Sequence, residues 1–184
     1  MLKYDYFSVM QSLTEKSSEA VAYTCKTCAS TSQKAEEIRK DVQKILCELE
    51  LALLSDFLPP LDRASIAAYA HALCGITDTA LTYAGLSSIY HRSASKSKFE
   101  SACLSLCELL TEGTSMLQGI KKSAQAPKLE KFREKKSTAM RSLFEESITA
   151  HGTRASQFFI ARCELISSIS RAFDTLIELI LKNI

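Results

Sequence analysis

The sequence contains no tryptophan, only five glycines and three prolines, and almost no excess of one charge. Few helix-breaking residues therefore interrupt a chain rich in alanine, leucine, serine, glutamate and lysine. No run of Val, Ile or Tyr alternates with polar residues, which leaves strands with little support. The net charge of +2, from 23 basic and 21 acidic residues, gives no reason to expect nucleic acid or an anionic membrane as a partner.

Long hydrophobic runs are also missing from these 184 residues. No apolar run approaches the roughly 20 residues that a helix needs to cross a bilayer, and the opening residues lack the hydrophobic stretch of a signal peptide. We therefore expect a cytoplasmic protein that is not embedded in a membrane. A chain of this length suits one domain, 1–184, or one duplicated unit, and it can bury a substantial core.

The seven cysteines are many for this length, but their odd number makes a poor disulfide framework. Most of them should be free thiols in a reducing compartment. Cys25 and Cys28 form a CxxC pair near the end of a predicted helix, where the helix dipole opposes a thiolate. Cys103 and Cys107 could complete a zinc site with this pair only if the first and fourth helices meet. Small buried side chains are the favoured interpretation.

The strongest positive signal is an apolar repeat at steps of three and four residues, which is typical of helices packed nearly parallel in a bundle. Pro59-Pro60 followed by Asp62 predicts the end of one helix and the cap of the next, and Ser97-Lys98-Phe99-Glu100 reads as a capping box. The clearest apolar stripe consists of Ile66, Tyr69, Leu73, Ile76, Ala80 and Tyr83. The predicted helices are 6–29, 31–57, 62–91, 97–123, 127–150 and 154–182.

The fold class that follows is all-α. We predict an elongated antiparallel bundle of about six helices, built from two three-helix units that are similar to spectrin repeats. Three helices precede a polar stretch at 92–98 and three follow it, which suggests a pseudo-repeat with halves 1–92 and 96–184. The two halves are expected to lie side by side.

The junction between the second and third helices has an uncommon order of residues. An aromatic residue, two prolines, an apolar residue and an Asp-Arg pair are followed by an amphipathic helix. Pro59, Pro60, Asp62 and Arg63 are predicted to have a structural role, in which Asp62 caps the next helix and Arg63 pairs with a nearby acid. Direct contact of Asp62 and Arg63 with phosphate is the alternative.

This junction carries a resemblance to a known family. The segment Phe57-Leu58-Pro59-Pro60-Leu61-Asp62-Arg63-Ala64-Ser65-Ile66, followed by Ala70, Ala72, Leu73 and Asp78, closely resembles the helix 2 to helix 3 junction of PhoU-like proteins. Weaker likenesses lie at Tyr6-Phe7 and at Ile180-Leu181-Lys182-Asn183. The resemblance implies paired three-helix bundles and a regulator of phosphate uptake, acting with a phosphate transporter or its signalling partner.

The resemblance also implies a candidate iron or zinc site, because some family members bind these metals through acids spaced four residues apart on inner helices. This sequence departs from that pattern, since Cys74 replaces the first acid of the third-helix motif while Asp78 remains. His71 lies near the same face. Without a metal, these residues form a solvated or hydrogen-bonded polar face, which is the favoured interpretation. The nearest counterparts on the second and fifth helices are Asp41 with Gln43 and Glu130 with Glu134.

The strongest local charge excess is a basic run that begins at Lys121 and ends at Arg141. Glu130 and Glu134 at helical spacing favour a solvated, salt-bridged face, and a docking surface for an acidic partner is the alternative. No catalytic constellation emerges, since the three histidines lie on separate predicted helices or at their ends. We therefore expect no enzymatic activity. Three roles remain: a regulator of phosphate transport, a metal-binding bundle, and a helical scaffold that merely shares the fold. Independently of the role, Phe158 with Phe159 would permit a homodimer formed between helices.

Overall fold

The computed structural model describes residues 4–26, 32–56, 59–89, 94–119, 125–148 and 156–183, and every element in these ranges is helical. The predicted all-α fold is thus confirmed. Cys28, Phe57, Leu58, His91 and His151 lie outside the described ranges. The elements are α1 (Tyr6–Lys26), α2 (Ser32–Ser55), α3 (Arg63–Ile89), α4 (Ala94–Ser115), a 3-10 turn (Met116–Gly119), α5 (Gln125–Ile148) and α6 (Ser156–Leu181).

Two sets of three helices build the bundle. α1, α2 and α3 contact one another, α4, α5 and α6 do the same, and the two sets meet where α1 packs on α4 and α3 packs on α6. α2 and α5 consequently lie outside the inner four helices, on opposite sides of them. The duplication of halves 1–92 and 96–184 stays a prediction.

The core explains why these residues form these helices. Every member of the apolar stripe predicted for the third helix, from Ile66 to Tyr83, is fully buried. α3 contacts three other helices, which is why it carries few charges and buries most of its circumference. No helix in the described part of the chain is both long and apolar enough to cross a membrane.

Two predictions about α4 are wrong. The helix begins at Ala94, so Ser97 lies inside its first turn and is not the N-cap residue that the box Ser97-Lys98-Phe99-Glu100 predicted. The Glu100 side chain is buried instead, where its charge acts on Tyr83. The α-helix also ends at Ser115 rather than near residue 123, and the 3-10 turn that follows buries Leu117.

Gly113 lies where α4 approaches α5 and α6 most closely. A methyl group added at this position would lie 2.6 Å from Phe132 Cε2 and 2.8 Å from Leu176 Cδ2. The absence of a side chain therefore allows the aromatic ring of α5 to pack directly against the α4 backbone.

Candidate functional site

The elbow between α2 and α3 is held by an N-cap. The Ser65 amide and hydroxyl both donate to Asp62 Oδ2, over 2.9 and 2.6 Å. Lys182, just after α6, donates to Ser65 Oγ over 3.1 Å and lies 3.9 Å from Asp62 Oδ2. The hydrogen bonds from Ser65, with the positive charge of Lys182 nearby, hold the pKa of Asp62 below its usual range. Asp62 thus satisfies a free amide at the start of α3.

The other side of the elbow satisfies the end of α2. Arg63 donates to the main-chain carbonyl of Asp56, rather than to an acidic side chain as predicted. The Tyr6 hydroxyl lies 3.1 Å from the Ala52 carbonyl and 3.2 Å from Asp56 Oδ2. Burial and the bond to Asp56 raise the pKa of Tyr6 to about 12, so this hydroxyl remains a donor. Arg63 thus pairs the carbonyl of Asp56 just after α2, while the Ala52 carbonyl also accepts from the Asp56 amide over 2.8 Å.

Cys74 and Asp78, the predicted metal ligands of α3, lie one helical turn apart. Burial, and next the charge of Asp78, raise the pKa of the Cys74 thiol to about 12. Asp78 is exposed and lies 3.5 Å from Arg39 Nε on α2. His71 Nε2 lies 3.0 Å from Glu50 Oε1. The arrangement gives a protonated thiol, a surface ion pair between Asp78 and Arg39, and a surface contact between His71 and Glu50.

The remaining predicted metal ligands lie elsewhere. Asp41 Oδ2 on α2 accepts a hydrogen bond from Lys16 of α1 over 3.0 Å. Glu130 and Glu134 are exposed on α5, which packs on α4 and α6. Among the described residues no three His, Cys, Asp or Glu side chains come together as a metal site. Iron or zinc binding stays a prediction.

A zinc site formed by Cys25, Cys28, Cys103 and Cys107 would require the first and fourth helices to meet. In the structure α1 does pack against α4. Cys103 and Cys107 are buried on α4. Cys28 lies outside the described ranges, and the side chain of Cys25 is likewise not described. A four-cysteine zinc site therefore stays a prediction.

The described part of the basic run, from Lys128 to Arg141, lies on α5, and its ion pairs differ from those predicted. Lys135 Nζ lies 3.0 Å from Glu112 Oε2 on α4, and Lys136 pairs with Asp174 on α6. Both pairs therefore join two helices, and in the described structure Glu130 and Glu134 form neither of them. Interhelical geometry decides these partners, which spacing along one helix does not reveal.

Arg162 is a buried residue that sequence reasoning missed. Its side chain is 2% exposed, and its guanidinium carbon lies 4.7 Å from the ring centre of Phe99 and 4.8 Å from that of Phe158. Tyr83 stacks on Phe158 at 5.0 Å. Burial raises the pKa of Tyr83, and the nearby Arg162 opposes this rise. The sequence did contain a sign that Arg162 is buried, because this residue lies on the apolar stripe of its helix, four residues after Phe158 and four before Ile166.

A second feature that was missed is a buried hydroxyl cluster, which we define as Thr14, Tyr69 and Thr114. The Tyr69 hydroxyl lies 2.6 Å from Thr114 Oγ1 and 3.3 Å from Thr14 Oγ1. The threonine hydroxyls donate back to the main-chain carbonyls of Met10 and Leu110. Burial raises the pKa of Tyr69 to about 12. The cluster links α1 and α3 to α4 with every hydroxyl paired.

Two solved structures share this fold over nearly the whole chain. A PhoU-like protein from Shewanella oneidensis MR-1 has a TM-score of 0.75 and 12% sequence identity, over 95% of this chain and 99% of that one. A second protein from the same organism, whose name describes a PhoU-like phosphate regulatory protein, has a TM-score of 0.62 and 12% identity, over 98% and 100% of the two chains. Comparisons with known protein families and with curated proteins find no match.

These comparisons define the class of fold. The resemblance that was predicted from the elbow is confirmed, because this chain has the fold of PhoU-like proteins along almost its full length. An identity of 12% establishes the fold alone and transfers no individual residue's role.

Proposed function

We propose that this chain is a non-enzymatic, cytoplasmic regulator of inorganic phosphate transport that acts by binding a phosphate transporter or its signalling partner. The observation that supports the proposal is the full-length likeness to PhoU-like proteins, one of which is named for phosphate regulation. The elbow points the same way, since it is the segment through which the family resemblance is recognised.

The described chemistry supports binding rather than catalysis. Cys74 has its pKa raised to about 12, so its thiol is protonated and a poor nucleophile at neutral pH. His71 lies beside Glu50 on the surface. The three hydroxyls of the cluster are buried and hydrogen-bonded to one another, so they are not available to a substrate. A protein of this kind changes a partner's activity by preferring one of the partner's conformations, since equal affinity for both would shift neither.

The α5 surface is the part of the molecule that best suits an acidic partner. Lys128, Lys131 and Arg141 are exposed and form no ion pair within the part of the chain that the structure describes. Unpaired cations on one helix attract an acidic surface and speed its association. We place the contact with the partner on this helix.

The proposal is tested by phosphate uptake in cells and by binding to membranes of the source organism. Deleting the gene should alter the uptake of radiolabelled phosphate, and the purified protein should bind detergent-solubilised phosphate transporter or its signalling partner. The double variant Lys128→Glu with Lys131→Glu should weaken that binding at least tenfold. A matched control, Lys34→Glu with Lys40→Glu on α2, makes the same charge change and should leave binding intact.

Three outcomes would overturn parts of this proposal. Unchanged uptake in the deletion strain, together with no binding to any transporter component, would reject phosphate regulation and favour a general scaffold. Equal loss of binding in both double variants would reject α5 as the contact surface. Recovery of the protein outside both the cytoplasmic and the membrane fractions would reject the cytoplasmic location.

A further inference from the structure

The outer face of α2 carries an exposed apolar ridge. Leu51 and Leu54 are 67% and 78% exposed, more than any other large hydrophobic residue that the structure describes. They lie one turn apart, and Glu48, one turn before Leu51, is exposed and has no ion pair within the described ranges. From Glu48 to Asp56 every charged residue is acidic. We call Glu48, Leu51 and Leu54 the α2 ridge.

A groove of complementary character lies between α5 and α6, on the opposite side of the inner helices. Its volume is about 490 Å³, and its lining includes Met140, Phe144 and Ile177. Phe144 is 50% exposed. Arg133 lies at one end of the groove and forms no ion pair in the described structure, whereas Lys136 is paired with Asp174. We call this the α5–α6 groove.

The ridge fits within the groove and carries the opposite charge. Glu48 to Leu54 spans about 9 Å of helix, and Arg133 to Phe144 spans about 16 Å. Packing the ridge leucines against Phe144 and Met140 would cover apolar surface on both sides, with Glu48 facing Arg133. Because the inner four helices separate α2 from α5, one chain cannot place its own ridge in its own groove.

We propose that this protein associates with itself head to tail, with the α2 ridge of one copy in the α5–α6 groove of the next. Such a contact joins two different surfaces, so it leaves a free ridge at one end and a free groove at the other. It is small beside the roughly 800 Å² that each partner buries in a stable complex, and the association is therefore weak and depends on protein concentration.

The test is sedimentation velocity on the purified full chain at about 5 and about 500 μM, a range that covers weak association. The wild type should change from monomer to a series of oligomers. The double variant Leu51→Lys with Leu54→Lys replaces the apolar side chains of the ridge by positive charges, which repel Arg133. The variant Phe144→Glu places a negative charge in the groove, which repels Glu48. Each variant alone should remain a monomer. Circular dichroism should show unchanged helicity, since all three side chains are at least half exposed.

Mixing the two variants gives the decisive result. The Phe144→Glu chain keeps its ridge and the leucine variant keeps its groove, so an equimolar mixture should form a dimer and nothing larger. A charge exchange gives a second check, because Glu48→Arg and Arg133→Glu should each weaken association and the double variant should restore it. A wild type that remains monomeric at the higher concentration, or a mixture that forms no dimer, would overturn the proposal.

Discussion

Replacing Gly113 by alanine should not stabilise the protein, although alanine is the better helix former. None of the described glycines has a positive φ, so backbone conformation does not require glycine at any of these positions. In a helix interior, replacing glycine by alanine raises the free energy of unfolding by about 1 kcal/mol through helix propensity alone. At Gly113 the new methyl group would lie 2.6 Å from Phe132 Cε2 and 2.8 Å from Leu176 Cδ2.

The magnitude follows from what those neighbours can do. Phe132 is 3% exposed and packs against Phe173, with ring centres 5.7 Å apart, so its ring cannot move without displacing the core. Overpacking of this kind costs about 1 to 3 kcal/mol. Gly113→Ala should therefore be neutral to about 2 kcal/mol less stable than the wild type, because the gain in propensity offsets part of the strain.

Gly85→Ala is the matched control. A methyl group at Gly85 meets nothing within 4 Å, so this variant should keep the full propensity gain and be stabilised by about 1 kcal/mol. Urea unfolding followed by circular dichroism should separate the two variants by about 0.5 to 1.5 M in midpoint, for a slope of about 2 kcal/mol per molar. Phe132→Leu removes the obstructing ring edge, so the cost of Gly113→Ala should fall in that background. Equal stabilisation by Gly113→Ala and Gly85→Ala would refute the reasoning.

Three further predictions concern the cap, the core and the metal. Asp62→Ala should lower the urea midpoint at neutral pH. The difference from wild type should shrink below about pH 3.8, because the pKa of Asp62 is lowered in the folded state and its stabilisation of the fold is lost when it is protonated. Tyr69→Phe should lower the free energy of unfolding by about 1 to 2 kcal/mol in the same assay, because Thr114 loses its shortest hydrogen bond. An unchanged free energy of unfolding would contradict a stabilising role of the cluster. If Asp78 and Cys74 hold iron or zinc, protein purified without chelators should contain metal that Asp78→Ala removes. Less than about 0.1 metal per chain would reject that site.

The helices could be predicted because each buries an apolar stripe that is visible in the sequence. The residues from Ile66 to Tyr83 were assigned to the core by their spacing, and all of the predicted stripe is buried. The elbow could be predicted because its signals are local: two prolines stop one helix and Asp62 caps the next. The resemblance to PhoU-like proteins depended on that same short segment.

Features that depend on contacts between distant helices could not be predicted in this way. Arg162 would ordinarily be assigned to the surface, and its partner Phe99 lies on another helix far away in sequence. Lys135 and Lys136 bond to Glu112 and Asp174 on neighbouring helices, and no spacing along α5 indicates those partners. The start of α4 was predicted at Ser97 from a local signal, whereas the helix begins at Ala94 and the Glu100 side chain is buried in the tertiary structure.

The hydroxyl cluster has a consequence for how the molecule can be divided. Tyr69 belongs to the first three helices and Thr114 to the last three, so a fragment containing only one set would lose the hydrogen bond between them and expose the apolar face around it. Two such fragments, produced as separate polypeptides, each carry one partner of this hydrogen bond. A gene cut between α3 and α4 should accordingly yield halves that recover their structure only when expressed together.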